Sequence, residues 1–297
     1  MTRILCLNGG GIAGYATAKY LARLEAETKK SIHDTFDVVV GVSTGAIVSA
    51  CVSYLGMPAA EIAESYHDLG TKVFRRSWWE PLVLKGVLWG SMYQMKNLKD
   101  ALYTIFADRT VADAQRRCEF MTYAAMIAPK MGSRHWKSWA IDPKSGITSV
   151  SNAVASSCAI QVFLSPNTVA RGNYDQETFV DGGNISNNPT MHALADFPTA
   201  RILNIQCLRP EAPIPRATHK KSLVQWAKYL VPVFGATDES AVEYQAQQFC
   251  GPGYHLVRLN STVGITDVSN KAFEKMDADV TAAWNATSEG VLQWLQQ

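Results

Sequence analysis

Phe36-Asp37-Val38-Val39-Val40-Gly41-Val42-Ser43-Thr44-Gly45 runs straight into the apolar segment Ala46 to Leu55. The β-branched residues before Gly41 predict a buried strand, and the unbroken apolar run after Gly45 predicts a helix that stops at Gly56 and Pro58. Between them sits a Gly-x-Ser-x-Gly pentapeptide. A strand that turns sharply into a helix over such a pentapeptide lifts its serine above the sheet edge, and the glycines spare the turn a collision with side chains. Ser43 is therefore a candidate nucleophile, with Gly41 and Gly45 as its supports.

The residues upstream repeat the pattern. Arg3 to Leu7 reads as a strand that breaks at Asn8-Gly9-Gly10-Gly11, and a helix follows with Ala16, Tyr20, Leu21 and Leu24 on one face. Two strands that each pass through a glycine-rich turn into a helix imply a parallel sheet with both faces covered. Further strands are expected at Phe120 to Ile127, His135 to Ile141, Thr178 to Val180, Arg201 to Cys207 and Leu256 to Leu259. Helices are expected at Ala153 to Ser157, Ser222 to Leu230, Glu239 to Cys250 and Ala272 to Gln296. The expected fold is α/β: a central, mostly parallel sheet flanked by helices in three layers, forming a single domain over 1–297 with a helical insertion at 61–118.

Gly9-Gly10-Gly11-Ile12-Ala13-Gly14 satisfies Gly-x-Gly-x-x-Gly between a strand and a helix, and admits two readings. A dinucleotide fold, and hence an oxidoreductase, uses those glycines to bring a pyrophosphate to the helix N-terminus, but it needs an acid at the end of the second strand. The nearby acid, Asp37, stands at the strand's beginning instead. In the other reading the backbone N–H groups of Gly9, Gly10 and Gly11 face an oxyanion, with Gly14 supporting the turn.

A serine hydroxyl needs a base to take its proton. Of His33, His67, His135, His192, His219 and His255, none lies in an informative motif. His255, after Gly251-Pro252-Gly253-Tyr254, reads as a packing or surface residue. Asp181 is the better candidate: the strand Thr178 to Val180 delivers it into the Gly182-Gly183 turn, and Asn184, Asn187, Asn188 and Pro189 follow as a polar loop.

Taken together, the glycine loop, the pentapeptide at 41–45 and Asp181-Gly182-Gly183 with Asn187-Asn188-Pro189 resemble the patatin-like phospholipase family, in that family's order. The segment Ala155 to Pro166 is also similar to the family's approach to its aspartate. The resemblance covers roughly residues 3 to 207 and implies a lipid acyl hydrolase with a Ser43–Asp181 dyad, no histidine, no cofactor and no metal. It implies that N–H groups of Gly10 and Gly11 hold the oxyanion of a phospholipid ester. Asn8 and Ala13 depart from the acidic and basic residues often found in the family, so head-group contacts at the loop are not carried over. Some bacterial members are antiphage effectors switched on by cyclic oligonucleotides, which adds a cyclic-oligonucleotide activator as an expected partner resting on no particular residue.

Charge narrows the partners further. The 297 residues carry 28 Lys and Arg against 26 Asp and Glu, a net charge of +2 that gives no reason to expect a nucleic-acid polymer. The distribution is uneven. Residues 72–99 hold six basic residues against Glu80, interleaved with Trp78, Trp79 and Trp89, and residues 209–228 hold five against Glu211. Basic, aromatic-rich stretches of this kind suit an anionic membrane surface. The six cysteines show no metal-site spacing and read as free thiols of a reducing compartment. The strand at Arg3 leaves no room for a secretory leader, and no apolar run reaches a membrane span. The expected location is cytoplasmic, with peripheral membrane association during activity.

Overall fold

In the computed structural model the described residues are 1–73, 91–114, 118–140, 147–161, 163–171, 175–207 and 223–297, without the side chains of 171, 175 and 223–236. Eight strands form one sheet: β1 (Arg3–Leu7), β2 (Val38–Gly41), β3 (Glu119–Ala128), β4 (Gly132–Lys137), β5 (Asn167–Arg171), β6 (Asp175–Val180), β7 (Arg201–Gln206) and β8 (Tyr254–Arg258). Their order is β5-β6-β3-β2-β1-β7-β8, with β4 also paired to β3. The five strands β3, β2, β1, β7 and β8 run parallel, while β4, β5 and β6 are antiparallel additions around the long β3. It is a mixed sheet flanked by helices.

Alternation along the central strands sorts the core into two layers, because successive strand residues point to opposite faces. Leu5, Leu7, Val39, Leu203 and Ile205 face one side, where α1 (Gly14–Thr28), α3 (Thr44–Leu55), α4 (Ala59–Val73), α5 (Met95–Phe106) and α9 (Asn270–Gln296) contribute to a single apolar cluster. Ile4, Cys6, Val38, Val40 and Ile202 face the other, against α7 (Thr190–Asp196) and α8 (Leu223–Cys250). The short helices α2 (Ile32–Thr35) and α6 (Val150–Ser157) complete the set of described helices. The described flanks of the expected insertion belong to the main core: Ile62, Tyr66, Leu69, Leu98 and Phe106 are all buried in the first cluster. Its centre, with Trp78, Trp79 and Trp89, lies outside the described residues, as do His219 and Pro210 to Pro215.

Several expectations change. The strand expected to run from His135 to Ile141 is Gly132–Lys137 and ends where the Ser138 hydroxyl accepts the Phe120 N–H at 2.8 Å, taking the place of a ladder partner. The two helices expected at Ser222 to Leu230 and Glu239 to Cys250 are one, Leu223–Cys250, running through Pro232 and Gly235. Proline disfavours a helix interior by about 3 kcal/mol, which is why the sequence reads as a break there. Strand β5 escaped notice, and β6 begins at Asp175 rather than Thr178, because the polar Asp175-Gln176-Glu177 disguises the edge hairpin.

Register then places the turns. Leu7 is level with Gly41 across β1 and β2, so the glycine loop and the serine turn leave the sheet side by side at the carboxyl edge. Leu5 is fully buried at the centre of this arrangement. Replacing it, Leu5→Ala, is expected to lower unfolding free energy by about 3 kcal/mol in urea melts, and a loss under about 1 kcal/mol would contradict the central position of β1.

Candidate active site

Ser43 sits at φ +54° and ψ −124°, a conformation that a residue with a side chain rarely adopts. The strain is enforced by crowding. A Cβ on Gly45 would stand 2.3 Å from the Leu7 carbonyl oxygen, and one on Gly41 would stand 2.2 Å from the Gly45 oxygen. The turn thus closes only over glycines, and it presents a half-buried Ser43 at the N-terminus of α3. The Ser43 N–H donates to Ser157 Oγ at 3.0 Å, which pins the turn to α6.

The glycine loop lies directly above. A Cβ on Gly9 would come within 2.9 Å of Ser43 Cβ and 2.6 Å of Asn187 Oδ1. Gly11 has φ +59° and is covered by Ile265, whose carbonyl accepts the Ile12 N–H at 2.9 Å. Gly14 lets the start of α1 close on the pair Thr44 and Tyr66, where Tyr66 donates its hydroxyl to the Thr44 carbonyl at 3.0 Å. The three N–H groups expected to face an oxyanion are not equivalent. That of Gly9 donates to Asn187 Oδ1 at 3.1 Å and is taken, which corrects the expectation for Gly9 as a donor. Those of Gly10 and Gly11 have no acceptor among the described residues. Asn8 is buried and accepts from Asn204 Nδ2 at 2.8 Å, so it faces the interior rather than a ligand.

Asp181 arrives from the other side, after β6. It caps the 3₁₀ turn Gly182–Asn184, with Oδ1 accepting the Gly183 N–H at 2.7 Å. Gly182 permits the approach: a Cβ there would meet the Tyr123 carbonyl oxygen at 2.4 Å and Val42 Cγ2 at 2.7 Å. Burial pushes the Asp181 carboxyl up from 3.8 to about 6, against the lowering effects of the Gly183 N–H and the neighbouring Ser43 hydroxyl. Oδ2 is buried and makes no close hydrogen bond among the described residues, which leaves it available to a proton from Ser43.

An apolar cleft opens from Ser43, lined among others by Ile12, Ile47, Leu69, Val73, Leu164 and Ile265. No histidine lines it among the described residues. His135 and His192 instead bond to each other at 3.0 Å beside Tyr123, and His255 packs against Gly290. Asp37 accepts the Arg3 N–H at 2.8 Å at the far end of β2, away from the glycine loop, where it cannot hold a ribose on that loop. No cluster of His, Cys, Asp and Glu suited to a metal occurs among the described residues. Tyr66 and Ile265 carry no signal in the sequence, and Ser157 and Cys158 stand out only as part of the segment Ala155 to Pro166. The thiol of Cys158 borders the cleft, held well above its ordinary pKa by burial and by the charge of Asp181.

A strained serine beside a glycine loop, with a buried aspartate next to its hydroxyl and an apolar cleft opening from it, suits acyl transfer. The sequence pattern of the Patatin family, described as patatin-like phospholipase, matches residues 5–194, and the chain belongs to that family. Among curated proteins it is 30% identical over 204 residues to the cUMP-AMP-activated phospholipase of Escherichia coli, covering 67% of this chain and 59% of that protein. It is 25% identical over 272 residues to the cGAMP-activated phospholipase of Pseudomonas aeruginosa, covering 87% and 78%. To the calcium-independent phospholipase A2-gamma of Rattus norvegicus it is 27% identical over 237 residues, covering 71% and 27%. The chain thus spans well under two thirds of the first and third of these relatives. The fold is shared with VipD from Legionella pneumophila, at a TM-score of 0.53 and 13% identity over 99% of this chain and 66% of that one.

The raised pKa of Asp181 has a stability consequence. Its carboxyl binds a proton more tightly folded, at about 6, than unfolded, near 3.8. Stability is therefore lost as pH rises from about 4 through about 6 and stays reduced above. Asp181→Asn is expected to raise the melting temperature at pH 8 and leave it nearly unchanged at pH 4. Calorimetry at the two pH values checks this, and an equal shift at both would contradict the buried charge.

Proposed function

We propose that this protein hydrolyses fatty-acyl esters of membrane phospholipids with Ser43 as nucleophile and Asp181 as its base. The observation that carries the reading is the meeting of a φ-strained, half-buried Ser43 with a buried carboxylate, beside an apolar cleft that Ser43 itself lines and whose surface suits an acyl chain. Ser43 Oγ attacks the acyl carbonyl as Asp181 accepts its proton, and the oxyanion lies against the N–H groups of Gly10 and Gly11. Collapse expels the alcohol, which takes the proton back from Asp181. Asp181 then accepts a proton from water as the water attacks the acyl-enzyme, and collapse of the second tetrahedral intermediate releases the fatty acid as Asp181 returns that proton to Ser43 Oγ. An oxyanion donor is typically worth about 3 to 4 kcal/mol of barrier, so the N–H groups of Gly10 and Gly11, unpaired among the described residues, matter as much as the base.

Ser43→Ala and Asp181→Ala are each expected to reduce phospholipid hydrolysis by at least about 10³-fold. In the unaltered protein the rate should fall as pH drops below about 6, where Asp181 takes up a proton. Mass spectrometry of products from mixed phospholipid vesicles reads both. An Asp181→Ala protein with most of its turnover would overturn the dyad. The same assay run with cUMP-AMP and cGAMP tests a cyclic-oligonucleotide activator, a partner taken from the names of the two bacterial relatives. A rate unchanged by either would remove these two nucleotides as activators.

The basic, Trp-bearing stretches at 72–99 and 209–228 are proposed to dock the protein on anionic membrane. No described helix is long and apolar enough to cross a membrane, so access to lipid would be from the surface. Replacing Trp78, Trp79 and Trp89 together by Ala should weaken co-sedimentation with phosphatidylglycerol-rich vesicles about tenfold or more. Undiminished binding would remove the 72–99 stretch from the docking surface.

A further inference from the structure

Helix α8 carries two adjacent acids, Asp238 and Glu239, that reach the loop after Asp181. Glu239 is only 5% exposed, and burial, with the nearby charges of Glu243 and Asp238, raises its pKa above the ordinary carboxyl value against the hydrogen bond from Asn187. Such burial disfavours an acid, and nothing in the proposed chemistry uses this one. Its contacts give it a task. Asn187 Nδ2 donates to Glu239 Oε1 at 2.7 Å, while Asn187 Oδ1 accepts the Gly9 N–H at 3.1 Å. Asp238 Oδ2 accepts the Asn187 N–H at 3.0 Å and the Ser186 hydroxyl at 2.8 Å.

We infer that Glu239 is a positioning residue for the oxyanion loop, acting through Asn187, with Asp238 fixing the backbone from which Asn187 reaches. The donor and acceptor pattern allows one arrangement. The Gly9 N–H only donates, so the amide oxygen of Asn187 must face it and the amide nitrogen must face Glu239, which must accept. Glu239 thereby sets the orientation of the amide that holds Gly9 over Ser43. A side chain without an acceptor at 239 leaves the Asn187 amide nitrogen only its long contact to the Gly9 carbonyl at 3.4 Å, which holds the amide less firmly, and Gly10 and Gly11 lose the aim of their N–H groups. Small misplacements of such groups have large effects on rate.

The inference rests on the hydrolase reading for its kinetic test, which uses the full chain and a soluble p-nitrophenyl ester. Glu239→Ala is expected to lower kcat about 10- to 100-fold with KM within about threefold, and Glu239→Gln, which keeps an accepting oxygen, to remain within about threefold of the unaltered protein. Asn187→Asp sets a carboxylate oxygen against Glu239 and should lose at least about tenfold in kcat at pH 8. Adding Glu239→Gln to it supplies a donor and should recover most of that loss. This pair of variants decides the matter even if Glu239→Ala fails to fold.

Hydrogen exchange of the peptide covering residues 8–14 reads the loop without substrate. It should quicken about tenfold or more in Glu239→Ala, or in Asn187→Asp, and not in Glu239→Gln. If the unaltered protein turns over no ester with or without cUMP-AMP or cGAMP, the hydrolase reading fails, and exchange alone decides the inference. Glu239→Gln as impaired as Glu239→Ala, a double variant no better than Asn187→Asp alone, or unchanged exchange in the variants would each overturn it.

Discussion

The closest approach in the molecule that matters is between two adjacent strand ends. Leu7 and Gly41 are level in neighbouring parallel strands, so the turns that follow must share the same small volume at the sheet's edge. The Leu7 carbonyl stands where a Gly45 side chain would be, and Gly9 stands where it would touch Ser43. From this one crowding follow the glycines of both motifs, the positive φ of Ser43, and the placement of a backbone amide loop beside a hydroxyl. Had β1 and β2 not been neighbours in register, neither glycine motif would have had a partner to crowd.

Three loops meeting at one edge have to be tied together, and the ties are polar and buried. Asn204 is central: its amide nitrogen donates to the Cys6 carbonyl and to Asn8 Oδ1, while its oxygen accepts from Asn188 Nδ2 and the Tyr254 hydroxyl. This joins β1, β7, β8 and the loop after Asp181 beneath the site. Buried amides are costly unless satisfied, and Asn204 supplies both donors and acceptors to different chain segments, while the amide nitrogen of Asn8 is buried without a partner among the described residues. Such a network resists replacement of any single member, because the partner left behind stays buried without its bond.

The parts of the fold legible in the sequence were those whose signal is local. The β-branched run before Gly41, the apolar face of α1 and the glycine punctuation between them report their own conformation. So the central strands and their turns could be anticipated from local signals, while the expectation that the glycine loop, Ser43 and the Asp181 turn meet came from the resemblance to a family. What escaped were features set by distant partners. Ile265 looks unremarkable in sequence, and Ser157 stands out only as part of the segment Ala155 to Pro166; each enters the site because the loop before α9 and α6 fold onto the glycine loop and the serine turn. The occupied N–H of Gly9 was hidden for the same reason, since Asn187 is 178 residues away along the chain. The continuous helix through Pro232 was misread because propensity is local and helix continuity is not.

The electrostatics of the site turn on one compromise. A carboxylate in water, with a pKa near 3.9, takes a proton from a serine hydroxyl only at great cost. Burial brings Asp181 to about 6, making it a stronger base, while the Gly183 N–H on Oδ1 and the neighbouring Ser43 hydroxyl work against that rise. A second strong donor on Oδ2 would lower the pKa and occupy the oxygen left free for the serine proton. The buried, uncapped Oδ2 is therefore better understood as a balance between ionisation and basicity than as a defect of packing. Gly182 makes that balance geometrically available, since it lets the carboxylate enter beside Ser43 where any side chain would collide with Tyr123 and Val42.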